Sequence, residues 1–307
     1  MIRTAWLYYI EDMTQQEIAE RLGISRIKVV RLIKEAREQG IVEIQVHNAI
    51  TEYLKIETNL RSLFHLKDVV VTSREEEGEP LYKMLTWTAA KVLEQRMRPG
   101  INVGIGIGRT TSHLPKSFAP NKQVDCTFIS LAGGLTSPQT VDDSYETIIK
   151  LARLAGGSAK YVYAPFLVSS SEIRAALLQD EAISGTLEQA RNADVAIFSV
   201  GTPDDFALLH QYNFMTAEEL SELRSLGAVG DALGRFYDKN GQEILTSSRD
   251  RVIGLTIDDL RAIPTRILVA GGAKKYQAIL AALIGEIANV LVTDIRTAEL
   301  LINHFKE

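Results

Sequence analysis

The sequence predicts an α/β protein in two parts: a winged helix-turn-helix at the N-terminus, then a larger, mostly parallel α/β domain. Three observations carry this reading. Residues 1–50 show helical spacing punctuated by a capping motif, a glycine and a serine. Beyond residue 66, short β-rich apolar runs alternate with helical stretches, which implies a parallel sheet with helices on both faces. With 307 residues, 46% of them hydrophobic and 24% charged, the chain has the length for two domains and the apolar content for a sizeable core.

The first helix is expected from about Arg3 to Glu11. Thr14 then stands three residues before Glu17, a capping box that starts a second helix over Gln15–Leu22. Ile18, Ala19 and Leu22 share its buried face, and Gly23 ends it in a left-handed conformation. Ile24 plugs the corner. Ser25 caps a third helix, expected from Arg26 to Gln39, and Gly40 stops it. Val29, Leu32, Ile33 and Ala36 form an inner stripe. Arg26, Ile27, Val30, Arg31 and Lys34 lie opposite, with Lys28 at the margin. A reading helix of this kind suits the major groove, where Arg pairs bidentately with guanine. The candidate DNA contacts are Thr14, Gln15, Gln16, Ser25, Arg26, Lys28, Val30, Arg31 and Lys34. Thymine methyls or the wing would explain the exposed Ile27 and Val30. The alternation Ile41-Val42-Glu43-Ile44-Gln45-Val46 reads as the first wing strand.

Charge distribution supports the same reading. Net charge is −5, yet residues 1–50 hold seven basic and seven acidic residues, so the excess acid lies in residues 51–307. Within residues 21–37, six cations face only Glu35. A compact basic segment on an acidic body fits DNA binding through that segment.

Residues 51–66 are expected to form a connecting helix, whose seam Tyr53, Ile56, Leu60 and Leu63 has heptad-like spacing. The seam could face its own domain or a second subunit. A subunit contact is favoured, because paired readers gain affinity from two half-sites.

Residues 67–307 form the α/β domain. Strands are expected at Val69–Thr72, Asn102–Ile105, Cys126–Leu131, Tyr161–Ala164, Val195–Val200, Ile267–Ala270 and Val290–Thr293. Helices are expected at Pro80–Met97, Tyr145–Leu154, Ser171–Leu178, Glu181–Arg191, Thr216–Leu223, Tyr276–Ile284 and Thr297–His304. Ligands in such sheets sit at the C-terminal strand ends. After the second strand come Gly106, Gly108, Arg109, Thr110 and Thr111: glycines that let backbone amides approach an anion, a cation and two hydroxyls. This is neither the dinucleotide fingerprint nor a P-loop, since glycine is missing at 109 and 111 and no Gly-Lys-Ser/Thr follows. Gly133-Gly134, Gly201-Thr202 and Gly271-Gly272 mark three further strand ends. Lys275, near a helix start where the dipole disfavours a cation, either reaches a bound anion or points into water. Asp231, among small apolar residues, could accept hydrogen bonds from sugar hydroxyls or serve as a structural carboxylate.

No run approaches the roughly 18–20 apolar residues of a membrane span, and Met1–Ile10 lacks the plan of a signal peptide. The one cysteine, Cys126, cannot form an internal disulfide and sits in an apolar run. It is expected to be buried and inert, in a cytoplasmic setting. The five scattered histidines show no ligand spacing, so no metal is expected, and no motif calls for a cofactor.

The stretches "DMTQQEIAERLGIS", "VGIGIGRTT", "ADVAIFSVGTP", "AVGDALGRFYDKNG" and "VAGGAKKYQAILAALIGEIANVLVTDIRTAELLI" together resemble the SorC/DeoR-type sugar-binding transcriptional regulators, over nearly the whole chain. The resemblance implies a sugar-phosphate isomerase-like effector domain, a homo-oligomer (dimer or tetramer), operator DNA as partner and a phosphorylated sugar or polyol as effector. It implies effector contacts at Gly106, Gly108, Arg109, Thr110, Thr111, Gly133, Gly134, Gly201, Asp231 and Lys275. The segment Thr136–Ser144, often asparagine-bearing in relatives, here carries Gln139, Asp142 and Asp143, an acidic rim that disfavours a second phosphate. The alternative is an isomerase or lyase with an accessory DNA-binding head, using Asp231 as base or Lys275 as a Schiff-base amine. The full constellation of base, second acid and ring-opening histidine is not visible near any glycine loop.

Overall fold

The second and third N-terminal helices start where a side chain can satisfy their free amides. In the computed structural model, which describes residues 1–39, 41–42, 50–72, 80–135, 144–204, 208–212 and 214–305, α1 spans Ile2–Tyr9, α2 Gln15–Leu22 and α3 Arg26–Glu38. The Thr14 hydroxyl accepts from the Glu17 amide, and the Glu17 carboxylate accepts from the Thr14 amide at 2.8 Å. Gly23 ends α2 at φ 65°. Ser25 caps α3 by accepting from the Lys28 amide. Leu7, Ile18, Ala19, Val29 and Ile33 close a small core between the three helices. Ile41 and Val42 both turn their amides to the Ala36 carbonyl, which wraps the end of α3. The remainder of the expected wing strand, 43–46, lies outside the described residues.

The chain divides into two units, Met1–Glu52 and Tyr53–Glu307, with the division inside α4 (Ile50–Leu63). Leu60 of α4 is buried, and Tyr53 and Ile56 pack on the core of the larger unit. At these three positions the seam packs on its own domain, Tyr53 and Ile56 only in part, and Leu63 stays exposed. Burying the seam locally costs one chain no association entropy, which a partner contact would.

The larger unit is a parallel sheet. Its strands are β1 (Asp68–Thr72), β2 (Ile101–Ile105), β3 (Cys126–Gly134), β4 (Ser158–Pro165), β5 (Val195–Phe198), β9 (Thr265–Val269) and β10 (Val290–Asp294). A small antiparallel sheet holds β6 (Val200–Gly201), β7 (Gly230–Ala232) and β8 (Arg235–Tyr237). Among the described residues the large sheet runs β1-β10-β9-β5-β2-β3-β4, every pair parallel. Both faces are covered, as β-branched strands without polar alternation require. Ala196 and Phe198 join one core with helices Glu181–Arg191, Tyr276–Ile284 and Ile295–Asn303. Val195 and Ile197 join the other, against helices Leu81–Glu94 and Ser144–Ala155.

The expected strand Val195–Val200 is broken at Ser199. Phe198 ends it in the large sheet, and Val200-Gly201 pairs antiparallel with Ala232 and Asp231. A hairpin follows, in which Leu233 (φ 53°) and Gly234 (φ 71°) turn β7 into β8. Two consecutive positive φ values are what a tight two-residue hairpin demands. Successive strands run outward from β2 toward β4 and from β5 toward β10, so the winding reverses between β2 and β5. In such sheets a crevice opens at that place, beyond the strand ends.

Candidate nucleic-acid interface and ligand cleft

In the unit Met1–Glu52, the inner stripe of α3 is buried at Val29, Ile33 and Ala36, and Leu32 is half-buried. Arg26, Ile27, Lys28, Val30, Arg31 and Lys34 are exposed, Ile27 at 83%. Arg31 pairs with Glu35 at 3.4 Å and Lys34 with Glu38 at 3.5 Å, both one turn on. Exposed pairs of this kind contribute ~0.5 kcal/mol or less, so both cations can be released to a phosphate. Thr14, Gln15, Gln16 and Arg26 line one shallow hollow with Tyr8, Tyr9, Asp12 and Met13. The first turn of α2 and the start of α3 thus present one surface. Ser25 is committed to its cap.

In the larger unit, a cleft of about 320 Å³ opens at the winding reversal. The loop after β2 lines it with Ile107, Gly108, Arg109 and Thr110. The loop after β5 contributes Ser199, Val200, Gly201 and Thr202. The β7–β8 hairpin closes it with Asp231, Leu233 and Gly234. Gly271 and Lys275 enter from the loop after β9, and Tyr82 from the helix after β1. Six of the residues expected from sequence therefore meet in one place: Gly108, Arg109, Thr110, Gly201, Asp231 and Lys275.

The other four stand behind or beside the cleft. A Cβ on Gly106 would lie 2.7 Å from Phe198 Cβ, so this glycine lets β2 and β5 end close together. The Thr111 hydroxyl donates to the Gly108 carbonyl at 2.9 Å, which shapes the loop from within. Gly133 lies against the Ala164 and Pro165 carbonyls, and Gly134 against the Tyr145 ring. Neither lines the cleft; both allow β3 to approach its neighbours. The acidic rim expected at Gln139, Asp142 and Asp143 lies outside the described residues.

Asp231 and Lys275 dominate the electrostatics. The Asp231 carboxylate accepts from the Gly234 amide at 3.0 Å. Burial pushes its pKa up to about 6, against the opposing pull of that hydrogen bond and of the Lys275 charge. The Lys275 ammonium donates to the Val200 carbonyl at 2.7 Å. Burial pulls its pKa below the usual lysine value, and Asp231 partly restores it. Gly272 cannot offer its amide to a ligand, because Asp294 Oδ2 (2.7 Å) and Thr297 Oγ1 (2.9 Å) take it. The β9 loop thus supplies a side-chain cation, while the β2 loop supplies backbone and hydroxyl donors. Arg109 is exposed at the rim, hydrogen-bonded to Gln211 at 3.1 Å.

Sequence reasoning missed Tyr82, Ser199 and the hairpin residues Leu233 and Gly234, and named Thr202 only as part of a strand end. The Ser199 hydroxyl is buried without a hydrogen-bond partner. Its signal was available: a serine interrupting an apolar run marks the residue where the strand leaves the sheet. Tyr82 had none, since it opens a helix far away in sequence. Cys126 is buried and its thiol is pushed up to about 11 by burial, so it stays protonated. Among the described residues no helix is long and apolar enough to cross a membrane.

Residues 48–303 match the family described as "Putative sugar-binding domain", and residues 6–39 match sigma-70, region 4. The chain is 32% identical over 303 residues to the deoxyribonucleoside regulator of Bacillus subtilis, covering 98% of this chain and 96% of that one. It is 33% identical to the erythritol catabolism regulatory protein EryD of Brucella abortus, covering 98% and 95%. Its structure is similar to that of the full-length sorbitol operon regulator SorC from Klebsiella pneumoniae, with a TM-score of 0.76 at 29% identity over 98% and 97% of the two chains.

Proposed function

The chain belongs to the SorC/DeoR family of transcriptional regulators, a helix-turn-helix followed by a sugar-binding domain, and on that premise we propose that a phosphorylated sugar or polyol in the β2/β5 cleft controls its grip on operator DNA. The observation that carries this is the meeting of a glycine-threonine loop, a half-buried lysine and a half-buried aspartate at one winding reversal. An anionic group sits against Gly108, Arg109 and Thr110, where amides, a hydroxyl and a guanidinium converge. Lys275 adds a positive charge from across the cleft. Asp231, as a carboxylate, accepts from hydroxyl groups at the other end of the ligand. Tyr82 and Leu233 cover its apolar edges.

On the DNA side, Arg26, Lys28, Arg31 and Lys34 of α3 meet bases and phosphates, and Val30 meets a thymine methyl. Thr14, Gln15 and Gln16 contact the backbone beside them. The protein acts as a homo-oligomer, because one helix-turn-helix reads only a few base pairs. The effector works by binding one arrangement of the oligomer better than another, which supplies about 1–3 kcal/mol of coupling to DNA affinity. The cleft holds rather than converts its ligand. The two groups suited to acid–base work, Asp231 and Lys275, are tied to the Gly234 amide and the Val200 carbonyl, and no histidine lines the cleft among the described residues.

A thermal-shift panel of pentoses, hexoses and polyols, each with and without phosphate, tests this reading. A rise in melting temperature is expected with at least one phosphorylated member and not with its unphosphorylated counterpart. Equal rises with both would remove the anion loop from the account, and turnover of any member would make the protein an enzyme.

A further inference from the structure

α1 carries an apolar stripe that its own unit leaves uncovered. Ile2, Trp6 and Ile10 lie one turn apart on one side of the helix and are 69%, 57% and 60% exposed. The opposite side, through Thr4, Ala5 and Leu7, is buried. Large apolar side chains in a row, with a tryptophan at the centre, mark a contact surface more often than a solvated face.

We propose that this stripe meets the same stripe of a second copy, antiparallel about a two-fold axis through Trp6. Charge selects that partner and orientation. One end of the stripe carries Arg3; the other carries Asp12 and Glu11, the latter also paired with Arg21 at 2.9 Å. An antiparallel pair sets each basic end against the partner's acidic end, while a parallel pair would bring like charges together. The two-fold sets Trp6 on its equivalent and Ile2 on Ile10, so large and medium side chains alternate along the seam.

The surface is small. Three side chains cover roughly 300–400 Å² per copy, below the ~800 Å² per partner of a stable complex. The contact therefore forms when the heads are already tethered, as in an oligomer of the larger domain, where effective concentrations reach the millimolar range. This rests on the reading of the protein as a homo-oligomer, and it concerns a different unit from the effector cleft.

Cysteine cross-linking of the full chain tests it, since the native Cys126 is buried. Trp6→Cys on the axis should form a disulfide-linked dimer under mild oxidation, at least about tenfold more than Ile27→Cys on the outer face of α3, which at 83% is the more exposed of the two (Trp6 57%). A mixture of Ile2→Cys and Ile10→Cys chains should cross-link between the two variants more than either does with itself. Arg3→Glu in the Trp6→Cys chain should lower the yield several-fold. Sedimentation of the unmodified chain separates the two levels of the idea. An oligomer whose Trp6→Cys form links no better than Ile27→Cys would overturn the α1 contact alone. A monomer would overturn both the contact and the oligomeric reading. Preferential linking of Ile2→Cys to itself would reverse the orientation and refute the pairing.

Discussion

Gly201 and Asp231 face each other across the β6–β7 pair so closely that a Cβ on Gly201 would overlap the Asp231 carboxylate. The glycine is therefore part of the carboxylate's seat. Gly201→Ala should displace Asp231 and weaken effector affinity by about tenfold or more. DNA affinity without effector should stay unchanged. Calorimetric titration with the responding sugar phosphate measures the first, and a gel-shift titration the second.

Arg26→Ala should weaken operator binding by about 1–3 kcal/mol if it reads a base, and flatten discrimination at that position. Removing a phosphate contact instead lowers affinity for all sequences and reduces the salt slope by about one. Glu35→Ala frees Arg31 from its ion pair and should strengthen DNA binding slightly. Gel shifts on specific and scrambled duplexes at several salt concentrations resolve these outcomes.

The two threonines of the β2 loop should separate. Thr110→Val removes a hydroxyl from the cleft wall and should lower effector affinity with little loss of stability. Thr111→Val removes the bond to the Gly108 carbonyl and should cost about 1 kcal/mol of folding stability, weakening the effector through the loop. Melting temperatures measured with and without ligand distinguish them; equal behaviour of the two variants would contradict the geometry.

Asp231 makes stability depend on pH. Its folded pKa of about 6 lies above the ordinary carboxylate value of 3.8. Between these values the folded state holds a proton that the unfolded state releases. Stability should therefore fall as pH rises from about 4 to 6, by at most about 3 kcal/mol. Asp231→Asn should abolish this fall, which denaturant melts across that range would detect.

Leu60 anchors α4 on the larger domain. Leu60→Ala should cost about 2–5 kcal/mol by leaving a cavity, whereas Leu54→Ala, on the exposed side of the same helix, should cost under about 0.5 kcal/mol. Chemical denaturation of the full chain reads both. Equal small losses would mean that the seam is not held by its own domain.

Periodicity made the long elements readable. Gln15–Leu22, Glu181–Arg191 and Tyr276–Ile284 stand at their expected bounds, because caps and apolar spacing are local signals. The three-residue strands β7 and β8 were not read. They are too short to show alternation, and their hairpin uses Leu233 in a left-handed conformation that leucine rarely adopts. The cleft was legible in its glycine loops, whose chemistry sits in consecutive residues. Glycines with the same local appearance, each at a strand end, did different work. Gly201 faces the cleft beside Asp231, while Gly133 and Gly134 face strand β4 and Tyr145. Sequence marks a tight approach but not what approaches. The seam of α4 is ambiguous for a related reason, since an apolar stripe has the same spacing whether its cover is the same chain or another.

The reversal of winding between β2 and β5 has a mechanical side. For the pairs β2/β3 and β5/β9 both connections head toward the same edge. Between β2 and β5 one connection departs for the β4 edge and the other for the β10 edge. A guest lodged between them pushes on both flanks at once, and each flank carries its own outer helices. One small molecule lodged there would thereby act on the spacing of surfaces on two sides of the domain.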